Sequence, residues 1–348
     1  MKKILILLLV LFTLVGCGNK KNDIQDVQVD ETETIEDNKQ EVEINSTIDY
    51  LDALSIWGLD PGLGVNVLRE QGYTGKGVTV AYIDQVIDEK FHSEYADSIV
   101  EYTDVSDPKE QPAFHGYAVL SLLCGKNLGV APDVNVHYYS TNGDEGILYG
   151  VAECLNQIIE KNKALPDDKK ISMVALSNNI DSRPGAEEAK KAEKALLDTG
   201  VMVWWCGDND AFAFEEFSDK TNIDNIVPRF SYDNPTLCYV PSGSRTRANT
   251  GKKIDSYMYD EEGGLSWTMP YTFGLYSIAL SIDDTLTQND LRKLIVDTAN
   301  YNNKNMRIVN PIGFVSAVLR RVNRNEDADK LEKAYKQSLN YICNIQFR

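Results

Sequence analysis

The sequence predicts an α/β fold, a doubly wound, mainly parallel sheet with helices on both faces. Beyond Ile48, short apolar runs alternate with segments of helical period, the pattern of successive βαβ units. Val78–Ile83 is an almost unbroken apolar run, as expected of a strand covered on both faces. Gly125 and Gly200 follow apolar-periodic segments, where helices commonly stop.

In chain order, Val78–Ile83 reads as a strand ending at Asp84. Gly116–Cys124 is apolar nearly all round and closes at Gly125, which predicts a buried helix with a glycine C-terminal cap and with His115 at its start. Val134–Tyr139 reads as a strand, Ile147–Asn162 as a helix and Ile171–Leu176 as a strand. Pro184–Asp198 reads as a helix and Val201–Cys206 as another buried strand. Tyr271–Ile282 is an apolar helix preceded by Pro270. A proline is tolerated in a first turn, where its missing N–H would have no partner, so Ser266 is expected at that helix's N-terminus. Ser316–Arg348 reads as a pair of surface helices, and neither an internal repeat nor a second domain boundary is visible.

The first residues are of a different kind. Lys2 and Lys3 precede the apolar run Ile4–Val15, too short for a stable membrane span but suited to a signal peptide over residues 1–16. The run ends Leu14–Val15–Gly16–Cys17, the spacing of a bacterial lipoprotein signal. The alternative, an ordinary secretory signal with an incidental cysteine, does not explain why Cys17 falls where the run stops. Diacylation of Cys17 would supply the two chains that stable anchoring needs and place the protein at the extracytoplasmic face of the cell membrane. Residues 17–46 form a polar, acidic tether with too few large apolar side chains to offset ordering entropy, and residues 47–348 form the folded domain with its C-terminal helices.

Composition narrows the function. The 348 residues are 43% hydrophobic and 25% charged, with 35 Lys+Arg against 53 Asp+Glu, a net charge of −18. Such a field repels phosphate backbones, so nucleic acid is not an expected partner. Cys124, Cys154, Cys206, Cys238 and Cys343 form no CxxC pair and stand near no histidine, which supports neither a metal site nor a disulfide framework. Most of them read as small buried apolar residues. No cofactor is implied. The acidic run Asp260–Glu261–Glu262 could hold Ca²⁺ but lacks the EF-hand spacing and reads as a solvated loop. His92 and His137 read as non-catalytic, in a loop and in a strand.

Chemistry gathers on an acid, an imidazole and a hydroxyl, in the order Asp84, His115, Ser266. Ligands collect at the carboxyl ends of strands in open α/β sheets, where Asp84 is expected. His115 can reach it from a helix start. Ser266 would lie beside free N–H groups and the positive end of a helix dipole, which suits a developing oxyanion in acyl transfer. A hydroxyl nucleophile needs a base, and His115 held by Asp84 would supply one.

These residues carry a resemblance to the subtilisin-like serine proteases. Gly72–Asp84 is similar to the family's catalytic-Asp segment, with Trp57–Gly58–Leu59 before it. Phe114–His115–Gly116 together with Gly129–Asp133 resembles the catalytic-His helix and the start of the strand after it. Gly264–Pro270 matches the family's Gly-Thr-Ser-Met-Ala-x-Pro in frame. The resemblance runs from about Ser46 to Leu319, in the subtilisin order of the three residues. It implies a subtilisin-like fold and peptide hydrolysis through an acyl-enzyme: Asp84 orients the imidazole, His115 is base and acid, and Ser266 is the nucleophile. Ser177–Asn178–Asn179 falls where the family's edge strand pairs with an extended peptide substrate. Val240–Gly243 resembles the strand end that reads Ala-Pro-Gly in the family.

The departures are Gln85–Val86 after the acid, Ala118 in place of a second histidine, Trp267 beside the nucleophile, and Cys206–Gly207–Asp208–Asn209 where the family reads Ala-Gly-Asn. In frame, Asp208 takes the place of the oxyanion-hole amide. It would have to be protonated there, or Asn209 would have to serve through a one-residue shift. The alternative to an enzyme is an inactive lipoprotein that keeps the fold as a peptide- or protein-binding module.

Overall fold

A computed structural model describes residues 50–142, 147–179, 182–250 and 255–346. The signal segment, Cys17 and the tether lie outside the described residues. Residues 50–57 are helical, and the chain from Trp57 to Arg348 is one compact unit.

Its centre is a five-stranded sheet of β1 (Thr79–Gln85), β2 (Ile99–Asp104), β3 (Asn135–Thr141), β4 (Ile171–Leu176) and β5 (Met202–Trp205). The order is β2-β3-β1-β4-β5, with every pairing parallel. Side chains alternate along each strand, and both faces of β1 are buried. Val80 and Tyr82 join one apolar cluster, with Tyr138, Met173 and Trp204. Ala81 and Ile83 join a second, with Val174 and Val203.

Helix α1 (Val65–Glu70) precedes the sheet, and α2 (Phe114–Cys124) and α5 (Leu265–Ile282) pack in the first cluster. Helices α3 (Ile147–Ala164) and α4 (Ala186–Leu197) pack in the second through Leu155, Ile158, Ala189 and Leu196. The expected doubly wound parallel sheet is present. The strand order reverses at β1, so the carboxyl ends of β1 and β4 flank a switch point, the crevice where such folds bind ligands.

A second sheet was not legible in the sequence. It joins β6 (Asp210–Phe214), β7 (Ile226–Phe230), β8 (Tyr239–Gly243), β11 (Asn300–Tyr301) and β12 (Arg307–Ile308) in the order β11-β12-β8-β6-β7, with mixed directions. β9 (Arg245–Asn249) and β10 (Ser256–Asp260) form a separate antiparallel pair. Helix α6 (Gln288–Asp297) starts with a capping box between Thr287 and Asp290.

The end of the chain corrects the expectation of two surface helices from Ser316 onward. Helix α7 (Pro311–Arg321) begins earlier, capped by Asn310, and buries Ile312, Phe314, Val315, Val318 and Leu319. Among the described residues only α8 (Asn325–Gln346) follows it. Gly125 does follow α2, but with φ −60° rather than a left-handed turn. Glycine is required there by crowding, since a Cβ would lie 2.3 Å from the Ser121 carbonyl oxygen.

Among the described residues no helix is long and apolar enough to cross a membrane. Cys124, Cys154, Cys206 and Cys238 are buried free thiols. Cys343 has no described side chain.

Candidate active site

Asp84 is the sixth residue of β1 and faces the crevice as a buried carboxylate, its side chain 4% exposed. Its Oδ1 accepts from the Gln85 N–H at 2.8 Å and from the His115 imidazole, whose Nδ1 lies 2.6 Å away. His115 is the second residue of α2. Gly116 lets this helix press onto the end of β1, because a Cβ there would lie 2.4 Å from the Tyr138 hydroxyl and 2.7 Å from the Gln85 carbonyl. The Ala113 N–H donating to the Val86 carbonyl at 2.9 Å fixes the approach from the other side. Burial works to lower the imidazole pKa, but attraction and hydrogen bonding from Asp84 outweigh it and hold His115 above its ordinary value.

Ser266 is the second residue of α5, and Gly264 caps the helix without a side-chain hydrogen bond to the first-turn amides. The expectation that Pro270 lies in the first turn is corrected. It is the sixth helical residue, in the second turn. A proline there leaves the carbonyl four residues earlier without its helical donor, and that carbonyl belongs to Ser266. Ser177, just past the end of β4, supplies a replacement: its Oγ donates to the Ser266 carbonyl at 3.1 Å. The Ser266 Oγ donates in turn to the Ser177 carbonyl at 3.3 Å. The serine hydroxyl therefore faces Ser177 rather than His115, and no hydrogen bond joins Ser266 to His115 among the described residues. The Ser177 hydroxyl is also 2.6 Å from that of Tyr82, whose phenol lies wholly inside the core.

Trp267 ties the two halves of the site together. Its ring packs on the His115 imidazole with centroids 4.9 Å apart, and its Nε1 donates to Asp260 Oδ2 at 3.0 Å. Asp260 also pairs with Arg247 Nε at 3.0 Å, and the guanidinium lies 5.4 Å from the Trp267 ring and 5.0 Å from that of Phe114. The solvated loop expected over Asp260–Glu262 is thus corrected at its first residue, which ends β10 and holds the site's wall.

The turn Cys206–Asp208 lies beside the Ser177–Asn179 segment. The Cys206 N–H donates to the Asn178 carbonyl at 3.1 Å, and the Gly207 N–H donates to Asn179 Oδ1 at 2.9 Å. The Asp208 carboxylate, however, is not left unpaired. Its Oδ2 accepts from Arg292 Nη2 at 2.9 Å, on helix α6. Asn209, next in the chain, is buried and donates one of its two amide hydrogens to Thr272 Oγ1 at 3.2 Å. Ser177, Asn178 and Asn179 follow β4 without extending it. The Asn179 carbonyl already accepts from Arg183 at 3.1 Å, so this is no fully open strand edge.

His92 and His137 stand outside the site. His92 is fully buried with Nε2 3.1 Å from the Ser256 carbonyl, and His137 lies in β3 with Nδ1 3.0 Å from Glu101. Arg247 and Arg292 sit in no local motif that would mark them for the site. Arg292 lies 84 residues from the carboxylate it pairs with.

No protein-family model matches the chain. The endoprotease aex-5 of Caenorhabditis elegans is 24% identical over 276 residues, which are 70% of this chain and 50% of that protein, so the chain spans about half the length of this curated relative. Among solved structures, subtilase cytotoxin SubAB matches with a TM-score of 0.60 at 13% identity, over 76% of this chain and 97% of that one. The prenylagaramide maturation protease PagA matches with a TM-score of 0.52 at 14% identity, over 73% and 98%. The PatG macrocyclase, in complex with peptide, matches with a TM-score of 0.53 at 13% identity, over 73% and 95%. Identities this low carry the architecture, and with the parallel sheet and its switch point they give the chain a subtilisin-like fold.

Proposed function

We propose that the chain is a serine endopeptidase, anchored through lipidated Cys17 at the extracytoplasmic face of the membrane and acting on extended peptide segments. The observation that carries this reading is the 2.6 Å bond between Asp84 and the His115 imidazole, at the switch point that also receives the first turn of α5 with Ser266. With Nδ1–H held by Asp84, the other ring nitrogen is free to act as base. The Ser266 hydroxyl leaves the Ser177 carbonyl by rotation about its own Cα–Cβ bond, a small change for a contact of 3.3 Å. Catalytic hydrogen bonds commonly tighten only when substrate is present.

Ser266 Oγ then attacks the scissile carbonyl carbon while its proton passes to His115. The oxyanion forms beside the uncapped amides at the start of α5, including the Ser266 N–H. Collapse breaks the C–N bond as His115 returns the proton to the leaving amine, and water releases the acyl group by the same steps. Ser177–Asn179 and the exposed Tyr232, whose hydroxyl is 3.5 Å from Asn179 Nδ2, line the approach for the peptide. The peptide-bound macrocyclase of similar fold and the endoprotease relative support this substrate class.

The test is hydrolysis of a peptide library by purified protein beside Ser266→Ala. Cleavage lost in the variant is expected, and equal cleavage by both proteins would refute the proposal. A second reading, a peptide-binding module without turnover, is favoured by Asp208 standing where the resemblance implies an amide donor. Ser266-dependent hydrolysis would remove it.

A further inference from the structure

Resting on the peptidase reading, we infer that Arg292 is a positioning residue for the reaction: it takes up the charge of Asp208 and draws the carboxylate away from the place where the oxyanion forms. The turn that carries Asp208 is bound to the nucleophile by a short relay. Cys206 and Gly207 bond to Asn178 and Asn179, and the adjoining Ser177 exchanges two hydrogen bonds with Ser266. A free carboxylate on that turn would oppose the developing negative charge.

Arg292 is built to answer this. Its Nη2 lies 2.9 Å from Asp208 Oδ2, and its guanidinium lies 4.9 Å from the ring centroid of the fully buried Trp204. Trp204 is itself fixed by Tyr276 of α5, with ring centroids 4.4 Å apart. The arginine is therefore seated on the core that also carries the nucleophile's helix, and a planar guanidinium suits such a stacked position better than an ammonium. Both members of the pair line a groove of about 650 Å³ between α6 and the segment Asn234–Cys238. The nearby Arg183 does not substitute for Arg292, since its guanidinium is committed to Asn178 and to the Asn179 carbonyl.

The experiment measures kcat and KM on a peptide whose cleavage is lost in Ser266→Ala, for wild type, Arg292→Gln, Arg292→Lys and the double variant Arg292→Gln with Asp208→Asn. An unneutralised carboxylate on the turn tied to Ser266 is expected to lower kcat by about tenfold to a hundredfold with KM little changed. Arg292→Lys should fall between, and adding Asp208→Asn to Arg292→Gln should restore kcat to within about threefold of wild type. A wild-type kcat in Arg292→Gln would overturn the inference. So would a double variant as slow as Arg292→Gln, since that marks a structural loss that charge removal does not repair. If Arg292→Gln melts below the assay temperature, the same comparison is made with Arg292→Lys, alone and combined with Asp208→Asn. Absence of any Ser266-dependent cleavage in wild type would instead bring down the peptidase reading, and this inference with it.

Discussion

Ser177 and Ser266 hold each other through two hydrogen bonds, each hydroxyl donating to the other's backbone carbonyl, at 3.1 and 3.3 Å. The first of these bonds replaces a helical one, since Pro270 has no N–H to offer the Ser266 carbonyl. It joins the end of β4 to the first turn of α5, so the proposed nucleophile is aligned by the sheet as well as by its own helix.

Ser177→Ala removes the donor to the Ser266 carbonyl and the partner of the buried Tyr82 hydroxyl. The expected cost is about 1–3 kcal/mol, the penalty for buried polar groups left unmatched. Denaturant unfolding monitored by tryptophan fluorescence checks it; a midpoint equal to wild type would show that the pairing does not contribute.

Pro270→Ala restores an N–H that can reach the Ser266 carbonyl and so compete with Ser177. A proline in the second turn of a helix carries a penalty of up to about 3 kcal/mol, so the variant should melt higher than wild type. Turnover should fall, because the first turn of α5 is then held by its own helix rather than by β4. A variant that melts higher with unchanged kcat would separate the Ser177 link from catalysis.

The His115 pKa is held above its ordinary value because Asp84 outweighs burial. In Ser266→Ala protein, an NMR titration should therefore place His115 above about 6.5. In Asp84→Asn it should drop below that value, since burial is then unopposed, and kcat should fall by on the order of 10⁴-fold as the ring loses its orienting partner. For stability the sign is that of a raised base. The ion pair's contribution is complete below the unfolded-state pKa and is lost as pH climbs through the folded value. An unchanged titration midpoint in Asp84→Asn would contradict this.

Lys220 is buried over the Trp57 ring, 4.1 Å from its centroid, with its ammonium donating to the carbonyls of Asp60 and Ser244, each at 2.9 Å. Burial pushes its pKa down to about 7. The unfolded chain thus binds this proton over a range where the folded chain does not, and stability should rise with pH from about 7 to about 10. Lys220→Met should flatten that rise. Urea unfolding across this range tests it, and parallel profiles for the two proteins would refute it.

Arg247→Gln leaves Asp260 Oδ2 with the Trp267 indole as its donor on this wall and removes the cation packed against Phe114 and Trp267. Breaking a largely buried pair costs about 3 kcal/mol. The positive charge of Arg247 works to lower the His115 pKa, so its loss should also raise the titration midpoint further. A midpoint that stays in place would show that Arg247 acts on packing alone.

Much of the central sheet was legible because its signals are local. Continuous apolar runs mark β1 and β5, and period-3.6 segments mark α3 and α4. Asp84, His115 and Ser266 each sit in a short motif at an element end, which is why their order could be read directly. The second sheet was not legible, because β6, β7 and β8 are five residues each, and their directions are set by partners far along the chain. Pro270 lies one helical turn further along α5 than its type alone implies, because Ser177 supplies the missing donor from β4, out of reach of any local proline rule. Asp208 accepts from Arg292 of α6, and the Asn209 amide donates to Thr272 of α5, partners far along the chain that no local pattern announces. What escaped the sequence was long-range pairing between polar groups.

The most direct test of the central claim is labelling of the purified protein with a fluorophosphonate serine probe, beside Ser266→Ala and His115→Ala. An activated nucleophile in this crevice predicts labelling of wild type that is lost in both variants. A folded wild-type protein that stays unlabelled from mildly acidic to mildly alkaline pH, or labelling that persists in Ser266→Ala, would contradict it.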